Sequence, residues 1–147
     1  MSKKNVKRLF ALLLLVLSMP ITAAEYKSGQ VWKYKTRPGE ESSLVYIVKV
    51  DSEKGYGNIY HIYVDGLRIR NSKIKGGVQS QLPHAPVDEK TLNDSVTTLL
   101  RESGPMPDIS EGYRAWREPF DAGTAGVFNI PVARIVDLIE DVVSKAQ

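Results

Sequence analysis

The apolar residues of this chain change their spacing partway along it. Between Gln30 and Arg70 they alternate with polar ones or run together in short blocks, and beyond Asp88 they recur every three or four residues. The first spacing builds half-buried or central strands and the second builds helices. Strands followed by helices define an α+β chain, in which helices lie on a sheet.

The strand half divides at its turns. Gln30 to Thr36 alternates, with Trp32, Tyr34 and Thr36 on one face and Val31, Lys33 and Lys35 on the other. Arg37-Pro38-Gly39-Glu40 is a turn, because proline presets its backbone angle and glycine accepts a positive one. Ser43 to Val50 is almost continuously apolar, which predicts a central strand covered on both sides. Asp51 to Asn58 turns through Gly55 and Gly57, and Ile59 to Val64 forms the next strand. Asp65-Gly66 is a hairpin signal, so Leu67 to Arg70 is expected to return as a fourth strand. The expectation is an antiparallel four-stranded meander, followed by three helices packing on one sheet face.

Residues 71–87 read as loop, interrupted by Gly76, Gly77, Pro83 and Pro86. Asp88 caps a first helix, with Glu89 at its positive end and Val87 stapled onto Leu92. Its buried stripe is Leu92, Val96, Leu99 and Leu100, and Gly104-Pro105 ends it. Asp108 with Glu111 resembles a capping box for a short second helix closed by Pro119. Tyr113, Trp116 and Phe120 would share its inner face. The last helix is capped by Asn129, holds Pro131 in its first turn, and repeats Val132, Ile135, Val136, Ile139, Val142 and Val143.

Ahead of the strands stands a different kind of segment. Lys3, Lys4, Lys7 and Arg8 precede an apolar run from Leu9 to Leu17, and Ser18 to Ala24 supplies a proline and small residues. This is the pattern of a cleavable export signal over 1–24, with the cut between Ala24 and Glu25. The run is shorter than the roughly 20 apolar residues needed to span a bilayer. The rest, 25–147, is expected to be a single α+β domain in the periplasm, or secreted as the alternative, with no stable membrane anchor after cleavage.

Charge and cysteine exclude several functions. The full chain carries 20 bases and 17 acids, but residues 1–24 hold four bases and no acid. The remainder has 16 bases and 17 acids, so its balance is no argument for nucleic acid. An asymmetry survives: ten bases against six acids over 25–75, and six against eleven over 76–147. The chain has no cysteine, which removes disulfides, thiol catalysis, cysteine metal sites and a lipid-modified amino terminus.

Few residues carry recognisable chemistry. The two histidines, His61 in a strand and His84 between Pro83 and Ala85-Pro86, are the candidate acid–base groups. No H-x-x-x-H, H-E-x-x-H or alternating-acid calcium loop is present, so no metal or cofactor is expected. No G-x-S-x-G marks a nucleophile, and Asp121 to Gly126 lacks the Lys-Ser/Thr ending of a phosphate loop. Candidate partner-binding residues are Arg37, beside a two-signed hairpin, and Tyr113, Arg114, Trp116 and Arg117, types enriched at binding hot spots.

The run Gly29 to Ser43, with Ile59 to Val64 and Gly112-Tyr113 to Trp116, resembles a group of small uncharacterised exported bacterial proteins. That resemblance implies no activity. Function is therefore expected to lie with a protein-binding or inhibitor/immunity-like module. The alternatives are a small envelope hydrolase using His84 or His61 with a carboxylate, and a small-ligand carrier with a pocket between sheet and helices.

Overall fold

A computed structural model describes residues 24–145. Of the segment read as an export signal, residues 1–23 lie outside the described residues. Ala24 and Glu25, which flank the expected cut, are exposed. Among the described residues no helix is long and apolar enough to cross a membrane.

The chain is α+β with a mostly antiparallel sheet. Its elements are β1 (Val31–Tyr34), β2 (Val45–Glu53), β3 (Gly57–Val64), β4 (Ile69–Arg70), β5 (Val78–Gln79), β6 (Leu82–Val87), α1 (Glu89–Ser95), β7 (Val96–Arg101), α2 (Ser110–Asp121) and α3 (Val132–Lys145). The main sheet has five strands in the order β6-β3-β2-β1-β7, and β4 pairs only with β5 in a small ribbon. The expected four-stranded meander is thus corrected at both ends. Its fourth strand leaves the sheet after Gly66, whose φ of 61° carries the turn. A Cβ there would fall 2.9 Å from Ser43 Cα, so only glycine fits that approach.

Two segments changed type. Residues 82–87, expected as loop, form edge strand β6, a location where prolines are tolerated because one side of the ladder needs no donor. The helix expected to end at Gly104-Pro105 stops at Ser95, and Val96–Arg101 becomes β7 against β1. Asp88 does cap α1, accepting from the Thr91 amide at 2.9 Å. The β-branched Val96-Thr97-Thr98 then favours extended backbone. Leu99 and Leu100, expected in a buried stripe, are exposed on this edge strand.

The core lies on one sheet face. Val45, Ile47, Tyr60, Ile62, Val64, Ala85 and Val87 pack there with Leu92 of α1 and Val132, Ile135 and Val136 of α3. Of the six α3 positions expected inside, Val142 is exposed. Pro131, rather than Asn129, stands at the start of α3, and its carbonyl accepts from the Ile135 amide. Thr91 ties α1 to the segment before α3, donating to the carbonyls of Phe128 and Ile130.

Helix α2 takes the opposite face, a second correction to the expectation of one helical layer. Adjacent strand residues point to opposite sides. Ile62 enters the main core, while His61 meets Tyr113 and Trp116 of α2. Pro119 lies inside the last turn of α2 rather than after it.

Candidate functional site

Two irregularities in the sheet build the site beneath α2. Between Ile47 and Lys49 the register of β2 against β3 shifts, so Ile47 opposes Ile62 while Lys49 opposes His61. One extra residue, Val48, is accommodated there as a bulge. A one-residue slip moves every following side chain to the other face. Lys49 and Asp51 therefore join His61 under α2, and Val50 turns toward the core. The Val48 carbonyl is satisfied by the Ser28 hydroxyl at 2.6 Å.

The second irregularity lies in β6. Ile62 opposes Ala85, but Val64 opposes Leu82, so β6 holds an extra residue around Pro83-His84. Bulges re-aim side chains in this way. His84 Nε2 lies 2.9 Å from His61 Nδ1, and His61 Nε2 lies 3.0 Å from Asp51 Oδ2. The imidazole planes of His61 and His84 differ by 14° with centroids 5.2 Å apart. With ring nitrogens closer than the centroids, the rings meet edge to edge in nearly one plane, the alignment an N–H···N bond requires.

Asp51 anchors the line. The Tyr113 hydroxyl donates to Asp51 Oδ2 at 2.7 Å, and Lys49 Nζ lies 3.1 Å from Asp51 Oδ1. Burial pushes the Asp51 carboxyl up, but the bonds from Tyr113 and Lys49 outweigh it and hold it below the ordinary carboxylate value. Asp51 is thus an acceptor, and His61 must donate from Nε2. His61 Nδ1 then bears a lone pair, and His84 must donate from Nε2. That leaves the lone pair of His84 on Nδ1, the ring nitrogen at the end of the line.

His84 lines a cleft of about 460 Å³ with Pro83, Asp108, Ile109, Glu111, Gly112 and Ala115. Its Nδ1 faces the first turn of α2, where a Cβ on Gly112 would come within 3.4 Å of it. Burial, with His61 beside it, pushes the His84 imidazole down to about 4. Burial also lowers His61, which is fully enclosed, although Asp51 works in the other direction. Both rings are neutral at neutral pH.

The two histidines nominated from sequence are therefore brought together. The missed members are Asp51 and Lys49, for which a β2 running past Val50 was the needed signal, and Gly112. Tyr113 belongs to this site as the hydroxyl that holds Asp51. Trp116 is buried, its ring 4.9 Å from His61 and its indole N–H donating to the Gly126 carbonyl at 2.9 Å. Arg117 binds Glu53 and Asp121, fastening α2 to the β2–β3 hairpin. Arg114 is exposed on α2. Arg37 is remote from this group, bound to the buried carboxylate of Glu40 at 2.6 Å and near Asp137 and Glu140. Among the described residues no three His, Asp or Glu side chains are grouped to hold a metal ion.

No family model, curated protein or solved structure matches this chain.

Proposed function

We propose that this protein is a small hydrolase working by general acid–base chemistry at the cleft, with His84 as the group that meets the substrate. The observation that carries this reading is the hydrogen-bonded line His84–His61–Asp51, which leaves a single lone pair on the Nδ1 of His84, a residue that lines the cleft. A base oriented by a second group, itself oriented by a carboxylate, is the arrangement used to abstract a proton from water or a hydroxyl. His84 Nδ1 takes a proton from water as its oxygen attacks, and returns a proton to the departing group. Asp51, with Tyr113 behind it, sets the tautomers.

The binding-module reading loses most of the surface expected for it. Trp116 is covered, Arg117 is engaged in ion pairs, Arg37 sits elsewhere, and of that set Arg114 is exposed. The ligand-carrier alternative shares the cleft and differs by the absence of turnover. Export places the activity in the periplasm, on the pattern of residues 1–24.

The test is a panel of chromogenic esters, amides, glycosides and phosphoesters offered to the purified protein. Turnover is expected on one class, falling on the order of 100-fold or more in His84→Gln, the scale of a lost general base, and persisting in Arg114→Ala. Turnover unchanged by His84→Gln, or none on any class, overturns the proposal.

A further inference from the structure

We infer that a proton accepted at the cleft is held on the buried His61, and that His84 passes it inward by exchanging its own tautomer. The coplanar, edge-to-edge contact of the two rings at 2.9 Å is a direct path between them. At its inner end Asp51 stands 3.0 Å from His61, whereas among the described residues His84 makes no ion pair, the Asp108 and Glu111 carboxylates lining its cleft without bonding to it. An imidazolium next to that carboxylate is an ion pair, whereas one on His84 would face a neutral ring.

The charged groups that act on His61 are Asp51, in direct contact, and Lys49 and Arg117, which oppose its protonation and themselves pair with Asp51. Arg117 is bound in turn by Glu53 and Asp121, so its charge is shared with two further carboxylates. Tyr113 and Trp116 pack against the ring from α2, and His84 meets it from β6.

The step balances. An O–H bond of water or substrate breaks and its proton goes to His84 Nδ1. The proton on His84 Nε2 crosses to His61 Nδ1, while His61 Nε2 keeps its own proton and goes on donating it in the hydrogen bond to Asp51. His84 ends neutral with its hydrogen on Nδ1, His61 ends as imidazolium, and the oxygen keeps the electron pair. Return to a leaving group reverses each transfer. His61 is a positioning residue that stores the proton, never touching substrate.

The purpose of this device rests on the hydrolase reading, but its test needs no turnover. Long-range ¹H–¹⁵N correlation spectra of ¹⁵N-histidine protein are recorded as pH falls from 8 to 3. Both rings should begin as Nε2–H tautomers, and His61 should become imidazolium first while His84 switches to Nδ1–H. An imidazolium on His84 beside a neutral His61 overturns the inference. Asp51→Asn should lower the midpoint of His61 protonation by about one pH unit, a tenfold loss of proton affinity. Should that variant not fold, Tyr113→Phe serves instead. It should keep the order of protonation, and inversion of that order overturns the inference. A tautomer switch with no active substrate class overturns the hydrolase reading alone.

Discussion

Gly112 of α2 lies against His84 of β6 so closely that a Cβ on it would sit 2.5 Å from His84 Cβ. No real pair of side chains tolerates that distance, so the helix reaches the strand only because residue 112 is glycine. In an exposed helix interior, glycine to alanine is expected to stabilise by up to about 1 kcal/mol. Here the steric cost wins. Gly112→Ala should destabilise by roughly 1–3 kcal/mol, the range of an overpacked contact, measured by urea denaturation. It should also break the His61–His84 bond, seen as loss of the paired tautomers. A stabilised Gly112→Ala protein would refute the close approach.

Acid should unfold the protein through its histidines before its carboxylates. The folded pKa of His84 lies near 4 against an ordinary 6.5. The unfolded chain therefore binds the proton more tightly, and stability is complete above about pH 6.5 and lost as pH falls toward 4. Because the ring is partly exposed and water recovers some of its penalty, the loss is on the order of 1–2 kcal/mol. His84→Gln should flatten the denaturation midpoint across that window. Asp51 is lowered, so its contribution fades only below the ordinary aspartate value of 3.8. A midpoint that does not change between pH 6.5 and 4 would contradict the buried neutral pair.

Glu40 is a second buried acid with a different task. It accepts from Arg37 through both side-chain oxygens, at 2.6 and 2.9 Å, and from the Arg68 amide. Burial pushes its carboxyl up, yet those bonds hold it below the ordinary value. Removing one partner strands the other, so Arg37→Ala should cost roughly 3–5 kcal/mol, read from the urea midpoint. Arg37→Ala with Glu40→Leu should recover much of that loss. Additive losses would show that the pair does not act as one unit.

The end of α1 at Ser95 can be tested in the same way. Leu92 is fully buried, and Leu92→Ala should cost about 2–5 kcal/mol. Leu100 is 48% exposed on β7, and Leu100→Ala should fall within about 1 kcal/mol. Equal losses would restore the longer helix.

Export predicts a product beginning at Glu25, checked by amino-terminal sequencing of protein from the periplasm. Tyr26 is buried and donates its hydroxyl to Asn93 at 2.7 Å, so a cut even two residues later would remove a core side chain. Ala24→Tyr should block processing, because the peptidase requires a small side chain there. A product retaining residues 1–24 would contradict the signal.

Much of the architecture was legible in the residues. Trp32 and Tyr34, the Ile59–Val64 strand, the cap at Asp88 and the apolar repeat of α3 all act locally, and local rules found them. Val96, Leu99 and Leu100 misled because three- and four-residue spacing also fits an edge strand, where the β-branched run decides. The bulge at Val48 left no mark, since one more apolar residue in an apolar run changes nothing that periodicity can detect. Asp51 is ten residues from His61, and His84 is 23 away. Only the strand order and two register slips bring them within a hydrogen bond.

The strand that carries His84 also forms a border of the sheet. Pro83 and Pro86 have no amide hydrogen to offer, and the Phe128 backbone covers the margin further along, its amide on the Pro86 carbonyl and its carbonyl on the Asp88 amide. A neighbouring polypeptide finds no continuous row of donors there on which to zip. Strand pairing by a neighbouring molecule therefore does not extend the sheet over the residues that carry His84.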